Sequence, residues 1–361
     1  MTATGKLHDL GQSLWLDNIT RDLLNRGTLE RYIDTLSLTG LTSNPTIFDQ
    51  AIRNSAAYDE DIARAAPAAR STEDLFFSVA LADLERAAHL FQPVFSRTDR
   101  VDGWVSLEVS PELAHDTEGT VAAARDLHQR AGKPNLFIKI PGTPEGLPAI
   151  EAATFAGVPV NITLLFSAEQ YVAAADAYWR GIERRIAAGR DPAVVSVASL
   201  FISRWDVAIK DKAPAELRNR LGIAVAQRTY KIYRERLASD RAYRLANAGA
   251  RPQRLLWAST GTKDPAAPDT LYIQALAAPF TINTMPEGTI KAFADHGRVG
   301  APLSPDGGDG DRVLAAFAEA GIDTTGLAAR LQDEGAASFV KSWNDLMDCV
   351  KSKSTAIRKA S

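Results

Sequence analysis

The chain has 361 residues, 45% of them hydrophobic and 24% charged, and a formal net charge of −3. That suits a globular protein with a large core and offers no basic excess for a nucleic-acid partner. One cysteine, Cys349, excludes an internal disulfide; with no 18-residue apolar run and no apolar leader, the expected compartment is the cytoplasm, away from membranes.

Short apolar or β-branched runs at residues 14–19, 38–44 and 101–109 read as the first three strands. A helical pattern follows, opened by Thr117 and Glu118 and stopped at Gly132. Residues 136–140 form the fourth strand, and Pro144 with Glu145 opens a helix that ends at Gly157. The fifth strand covers 158–165. Behind it, Ser167 and Gln170 make a capping box for a helix that stops at Gly189. Strands six, seven and eight are read at 194–202, 254–259 and 280–284. The helix-rich stretch 210–250 is longer than one crossover needs and reads as an insertion before strand seven. After Thr284 no further strand is expected, only helices, the last at 335–351.

Strands alternating with helices imply right-handed crossovers and a parallel sheet. Eight of them favour closure, so the predicted fold is α/β: a single (β/α)8 TIM barrel over residues 1–361, its C-terminal helices wrapping the barrel. An open doubly wound sheet is the rival, but no Gly-rich phosphate loop follows the first strand. The loop at 304–312 (SPDGGDGDR) lacks EF-hand spacing and reads as a Gly-rich turn. The five histidines show no paired metal-ligand spacing, so no metal site is expected.

In such a barrel the reactive groups project from the C-terminal ends of strands. Reading those ends gives Asp17, Asn44, Glu108, Lys139, Asn161, Thr163, Ser199, Arg204, Ser259 and Lys263. Lys139, in NLFIKIPG, stands in the middle of an apolar strand. Desolvation there favours the free amine, which attacks carbonyls; the alternative is an ion-paired or snorkelling lysine at a strand end. Asn161 and Thr163 share one face of VNITLLFS and suit a polyhydroxylated ligand, or else simply cap the strand. Asp17 and Glu108 are carboxylates in apolar strands, able to divide proton transfers between them or to serve as buried ion-pair partners. Arg204 and Lys263 suit a phosphate monoester, with the STGT turn before Lys263 adding amides and hydroxyls; plain surface charge is the other reading.

Seven stretches in order resemble the transaldolase family: WLDN (15–18), GLTSNPTIF (40–48), VSLEVSPELAHD (105–116), FIKIPGTPEG (137–146), VNITLLFS (160–167), SLFISRWD (199–206) and WASTGTKD (257–264). The resemblance runs over nearly the whole chain. It implies a class I transferase of the non-oxidative pentose phosphate pathway, with no cofactor and no metal, that moves a dihydroxyacetone unit between sugar phosphates. It makes Lys139 the Schiff-base nucleophile and Asp17 the acid/base group, with Glu108 and Thr163 activating water. Asn44, Asn161 and Ser199 would bind hydroxyls, Phe201 would be a pocket aromatic, and Arg204 would hold phosphate. At the second phosphate position many members carry an arginine; here the segment reads STGTK, so Lys263 replaces it one residue later, with Ser259 as an added contact. A monomer or homodimer is expected. The rivals are an aldolase that releases free dihydroxyacetone, using the same lysine, and a silent barrel retained as a sugar-phosphate sensor.

Overall fold

The computed structural model describes residues 2–360. Its centre is a parallel sheet of β1 (Gln12–Asp17), β2 (Leu38–Thr42), β3 (Val105–Glu108), β4 (Leu136–Pro141), β5 (Val160–Leu165), β6 (Ser196–Phe201), β7 (Arg254–Ala258) and β8 (Thr281–Met285). The strands pair in the order β2-β1-β8-β7-β6-β5-β4-β3. The ring closes where Gly40 bridges Trp104, with Leu41 N–H donating to the Trp104 carbonyl at 2.9 Å. The chain is thus a (β/α)8 barrel whose strands are buried on both faces.

Two layers fill the barrel beneath its mouth. Trp104 stacks on Phe137 with ring centroids 4.1 Å apart, and Trp15 lies 6.1 Å from Phe137. Gly40 makes room for this aromatic layer: a Cβ there would fall 2.6 Å from the Trp15 Nε1 and 2.7 Å from the Trp104 carbonyl. Below it, at the N-terminal face, Ser13 Oγ donates to Asp102 at 2.6 Å, and Arg254 donates both to Asp102, at 3.2 Å, and to Ser13.

Strand boundaries differ from the sequence reading where loops carry unusual backbone. The third strand begins at Val105 rather than 101, because Asp99, Arg100 and Gly103 all take left-handed φ in the turn before it. The second stops at Thr42, since Asn44 becomes the cap of the helix Pro45–Arg53. The helix expected from Thr117 starts there, with Asp116 as its cap. The one expected from Pro144 starts at Gly146, held by Thr143. Ser167 and Gln170 do form a capping box. The insertion before β7 consists mainly of the helices Leu221–Leu237 and Asp240–Asn247. In the loop at 304–312, Asp309 is tied to Arg220 and Arg312, and Asp306 caps its own turn.

The larger departure is at the C-terminus. The expected 335–351 helix is the middle of one 37-residue helix, Thr324–Ala360, that packs on the helices Pro45–Arg53, Asp59–Ala65 and Thr72–Arg97 and on β5. No helix among the described residues is long and apolar enough to cross a membrane.

Candidate active site at the barrel mouth

A cavity of about 410 Å³ opens at the C-terminal ends of the strands. Of the residues picked out from sequence, Asp17, Asn44, Lys139, Thr163, Ser199, Phe201, Arg204, Ser259 and Lys263 line it. Glu108 and Asn161 do not. They lie buried behind the lining, each touching a residue that does line it.

Strand register explains the centre. Glu108 on β3 and Asn161 on β5 are the partners of Lys139 on either side, so all three side chains leave the same face at the same height. Lys139 is 5% exposed. Its Nζ donates to Glu108 Oε2 at 3.1 Å and to the Ser43 carbonyl at 3.0 Å. Burial pushes the Glu108 carboxyl upward; Lys139, by charge and hydrogen bond, pulls against that, and Asp17 adds a smaller upward push. The Ser43 peptide is itself fixed, because Ser43 Oγ donates to the Ser106 carbonyl at 2.7 Å.

Asp17, at the end of β1, is half-buried and accepts from Thr42 Oγ1 at 2.8 Å. Thr42 also shares a 2.7 Å hydrogen bond with Thr284. Burial pushes Asp17 up as well, opposed by the charge of Lys139, the Thr42 hydrogen bond and the charge of Lys263. Two carboxyls thus flank one buried amine, both held above their ordinary range by desolvation.

The neutral groups divide into supports and free ends. Asn161 accepts from Ser199 Oγ at 2.7 Å and donates to Ser106 at 3.1 Å, so its carboxamide is a brace under Ser199. Asn44 accepts from Ile47 N–H at 3.1 Å, a bond only its oxygen can make, which turns its NH₂ away from that contact. The Thr163 hydroxyl is buried yet has no hydrogen-bond partner among the described residues, although its residue lines the cavity. A buried orphan hydroxyl on a cavity-lining residue is suited to pairing with a polar ligand or water.

At the other end, Arg204 follows β6 in the helix Ser203–Ile209 and has no hydrogen-bond or carboxylate partner among the described residues. Burial pulls its guanidinium down, and its Cζ lies 5.2 Å from the Phe201 ring centroid and 5.8 Å from that of Phe339. Lys263 is exposed at the rim. The STGT turn contributes less hydroxyl chemistry than expected: Thr260 donates into β8 and Thr262 to the Pro268 carbonyl. Ser259, at φ 56°, shares a 2.9 Å bond with Ser203 and keeps capacity for one more partner. Any anion grip here rests on Arg204, Lys263, Ser259 and backbone amides.

Sequence reasoning missed Thr42, Thr284, the Ser43 carbonyl and Phe339, a ring that also lines the cavity. Thr42 was within reach, since it alternates with Gly40 on the inward face of β2. Phe339 was not: it comes from a helix far along the chain, and no strand-end rule points to it.

The model of the transaldolase/fructose-6-phosphate aldolase family matches residues 14–350. A transaldolase of Parafrankia sp. (strain EAN1pec) is 45% identical over 94% of this chain and 95% of its own. One from Thermobifida fusca is 45% identical over 96% of both, and one from Thiobacillus denitrificans 42% identical over 96% of this chain and 99% of its own.

Proposed function

The chain belongs to the transaldolase/fructose-6-phosphate aldolase family, and from that membership we propose that it is a transaldolase moving a dihydroxyacetone unit from a ketose phosphate to an aldose phosphate through an imine on Lys139. The observation that carries the reading is Lys139, buried and paired with Glu108, lining one cavity with Asp17 and with a guanidinium that has no hydrogen-bond or carboxylate partner among the described residues. The donors are sedoheptulose 7-phosphate or fructose 6-phosphate, and the acceptors glyceraldehyde 3-phosphate or erythrose 4-phosphate.

The amine must lose its proton before it attacks. Glu108, whose carboxyl is raised by burial and lies in direct contact, is the group placed to take it. Attack on the ketose carbonyl gives a carbinolamine, which expels water to form the iminium. Glu108 and a water on the Thr163 hydroxyl relay the protons. Asp17 then removes the C4 hydroxyl proton, the C3–C4 bond breaks, and its electrons pass to the iminium to form an enamine. The aldose leaves. Asn44 and Ser199, braced by Asn161, hold the retained three-carbon unit while the second aldehyde arrives. The enamine attacks it, Asp17 returns its proton to the new C4 oxygen, and water, activated by Glu108 and Thr163, hydrolyses the resulting iminium to free the product ketose and Lys139. Arg204, Lys263 and Ser259 bind phosphate, and Phe201 walls the pocket.

Transfer, rather than release of free dihydroxyacetone, is favoured by the near-full-length match to relatives named transaldolase. A coupled assay with fructose 6-phosphate decides it: product should form only when erythrose 4-phosphate is present. Equal release of free dihydroxyacetone without any acceptor would make the protein an aldolase.

A further inference from the structure

The helix Thr324–Ala360 places Gln332, Gly335, Phe339 and Ser342 along one face, at spacings of three and four. That face docks on the barrel mouth. Gln332 Nε2 donates to the carbonyls of Gly142, at 3.0 Å, and Leu164, at 2.9 Å, and so ties the helix to the ends of β4 and β5. Leu164 takes a left-handed φ of 59°, which a branched side chain rarely adopts, and its carbonyl accepts from Gln332. Ser342 bonds Thr46, which lines the cavity, at 2.8 Å. Gly335 lies where a Cβ would come within 3.2 Å of Arg204 Nη1 and 3.0 Å of Leu164 Cδ2. Phe339, 7% exposed, lines the cavity with its ring 5.8 Å from the Arg204 Cζ.

We propose that this helix is the roof of the substrate site and that Phe339 is a positioning residue for Arg204, so that preference for phosphorylated sugars depends on a ring contributed by the C-terminal helix. The inference rests on the phosphate role given to Arg204 above. A half-buried guanidinium such as that of Arg204 ordinarily pairs with a carboxylate, and such a partner would compete with a phosphate for the same donors. Aromatic faces solve that problem: Phe201 and Phe339 attract the cation through their ring electrons and leave its N–H groups free. Glycine at 335 lets the roof come close without displacing it.

The test measures fructose 6-phosphate and non-phosphorylated fructose as donors, with acceptor saturating for each variant. Phe339→Leu keeps an apolar side chain but loses the ring. It should lower kcat/KM for fructose 6-phosphate about tenfold more than for fructose, the size of one partly desolvated cation–π contact, with the difference carried by KM. Phe339→Tyr should restore the wild-type preference. In an Arg204→Ala background, Phe339→Leu should change the preference no further. Equal losses on both donors, or losses that multiply with those of Arg204→Ala, would overturn the proposal while leaving Arg204 as the phosphate ligand. If Arg204→Ala itself leaves the preference for fructose 6-phosphate intact, the underlying reading fails and takes this inference with it.

Discussion

Lys139 stands one strand from Glu108 and one from Asn161 in register, and this adjacency makes a buried amine tolerable. An unpaired ammonium in that position is strongly disfavoured; a carboxylate at 3.1 Å and a carbonyl at 3.0 Å hold it. The same pair can pass a proton internally, which a surface lysine cannot do. For Asp17→Ala the expected outcome is an enzyme that still forms a reducible imine but turns over about 10²- to 10⁴-fold more slowly, as loss of one acid/base group predicts; unimpaired turnover would remove Asp17 from the mechanism. The pH dependence follows from the same group. Asp17 must be ionised to take the C4 hydroxyl proton, and burial raises its pKa. Activity should therefore fall, as pH is lowered, at a pH above the ordinary carboxylate value of about 4. The acid limb of kcat against pH measures this, and its loss in a profile flat down to that value would contradict the assignment.

Sequence and structure diverge most instructively between strands and helices. Strand-end residues were legible because a polar side chain in an apolar, period-two run must point somewhere protected, and in a barrel that place is the mouth. The C-terminal helix was legible only as a helix. Its apolar stripe of Leu327, Leu331, Phe339, Trp343, Leu346 and Val350 marks a buried face, but what that face packs against is fixed only by the finished barrel. Within the STGT turn the hydroxyls of Thr260 and Thr262 are engaged by the protein, and sequence alone does not show it: whether Thr260 faces a ligand or β8 depends on a neighbouring strand. At this scale, Gln332→Leu should strand two buried carbonyls and destabilise the protein by about 2–6 kcal/mol, from about 1–3 kcal/mol for each unsatisfied group. Urea unfolding checks the figure, and an unchanged midpoint would show that the helix is not anchored by that side chain.

Over the whole molecule, the barrel separates stability from chemistry along its axis. The mouth holds the proposed nucleophile Lys139 and the proposed phosphate ligands Arg204 and Lys263, the middle layer is aromatic, and the base is tied by Arg254, Asp102 and Ser13. Arg254→Met leaves Asp102 largely buried without its cation, which should cost about 3 kcal/mol of unfolding free energy. Because the change is an aromatic layer away from the cavity, kcat/KM should stay within about twofold of wild type. A large kinetic effect with no stability loss would reverse the division of labour between the two ends. The account stands or falls on the nucleophile. Borohydride reduction in the presence of fructose 6-phosphate, followed by peptide mapping, should place a single three-carbon adduct on the peptide containing Lys139, absent in Lys139→Ala; an adduct on another lysine, or full transfer activity with no adduct at all, would contradict it.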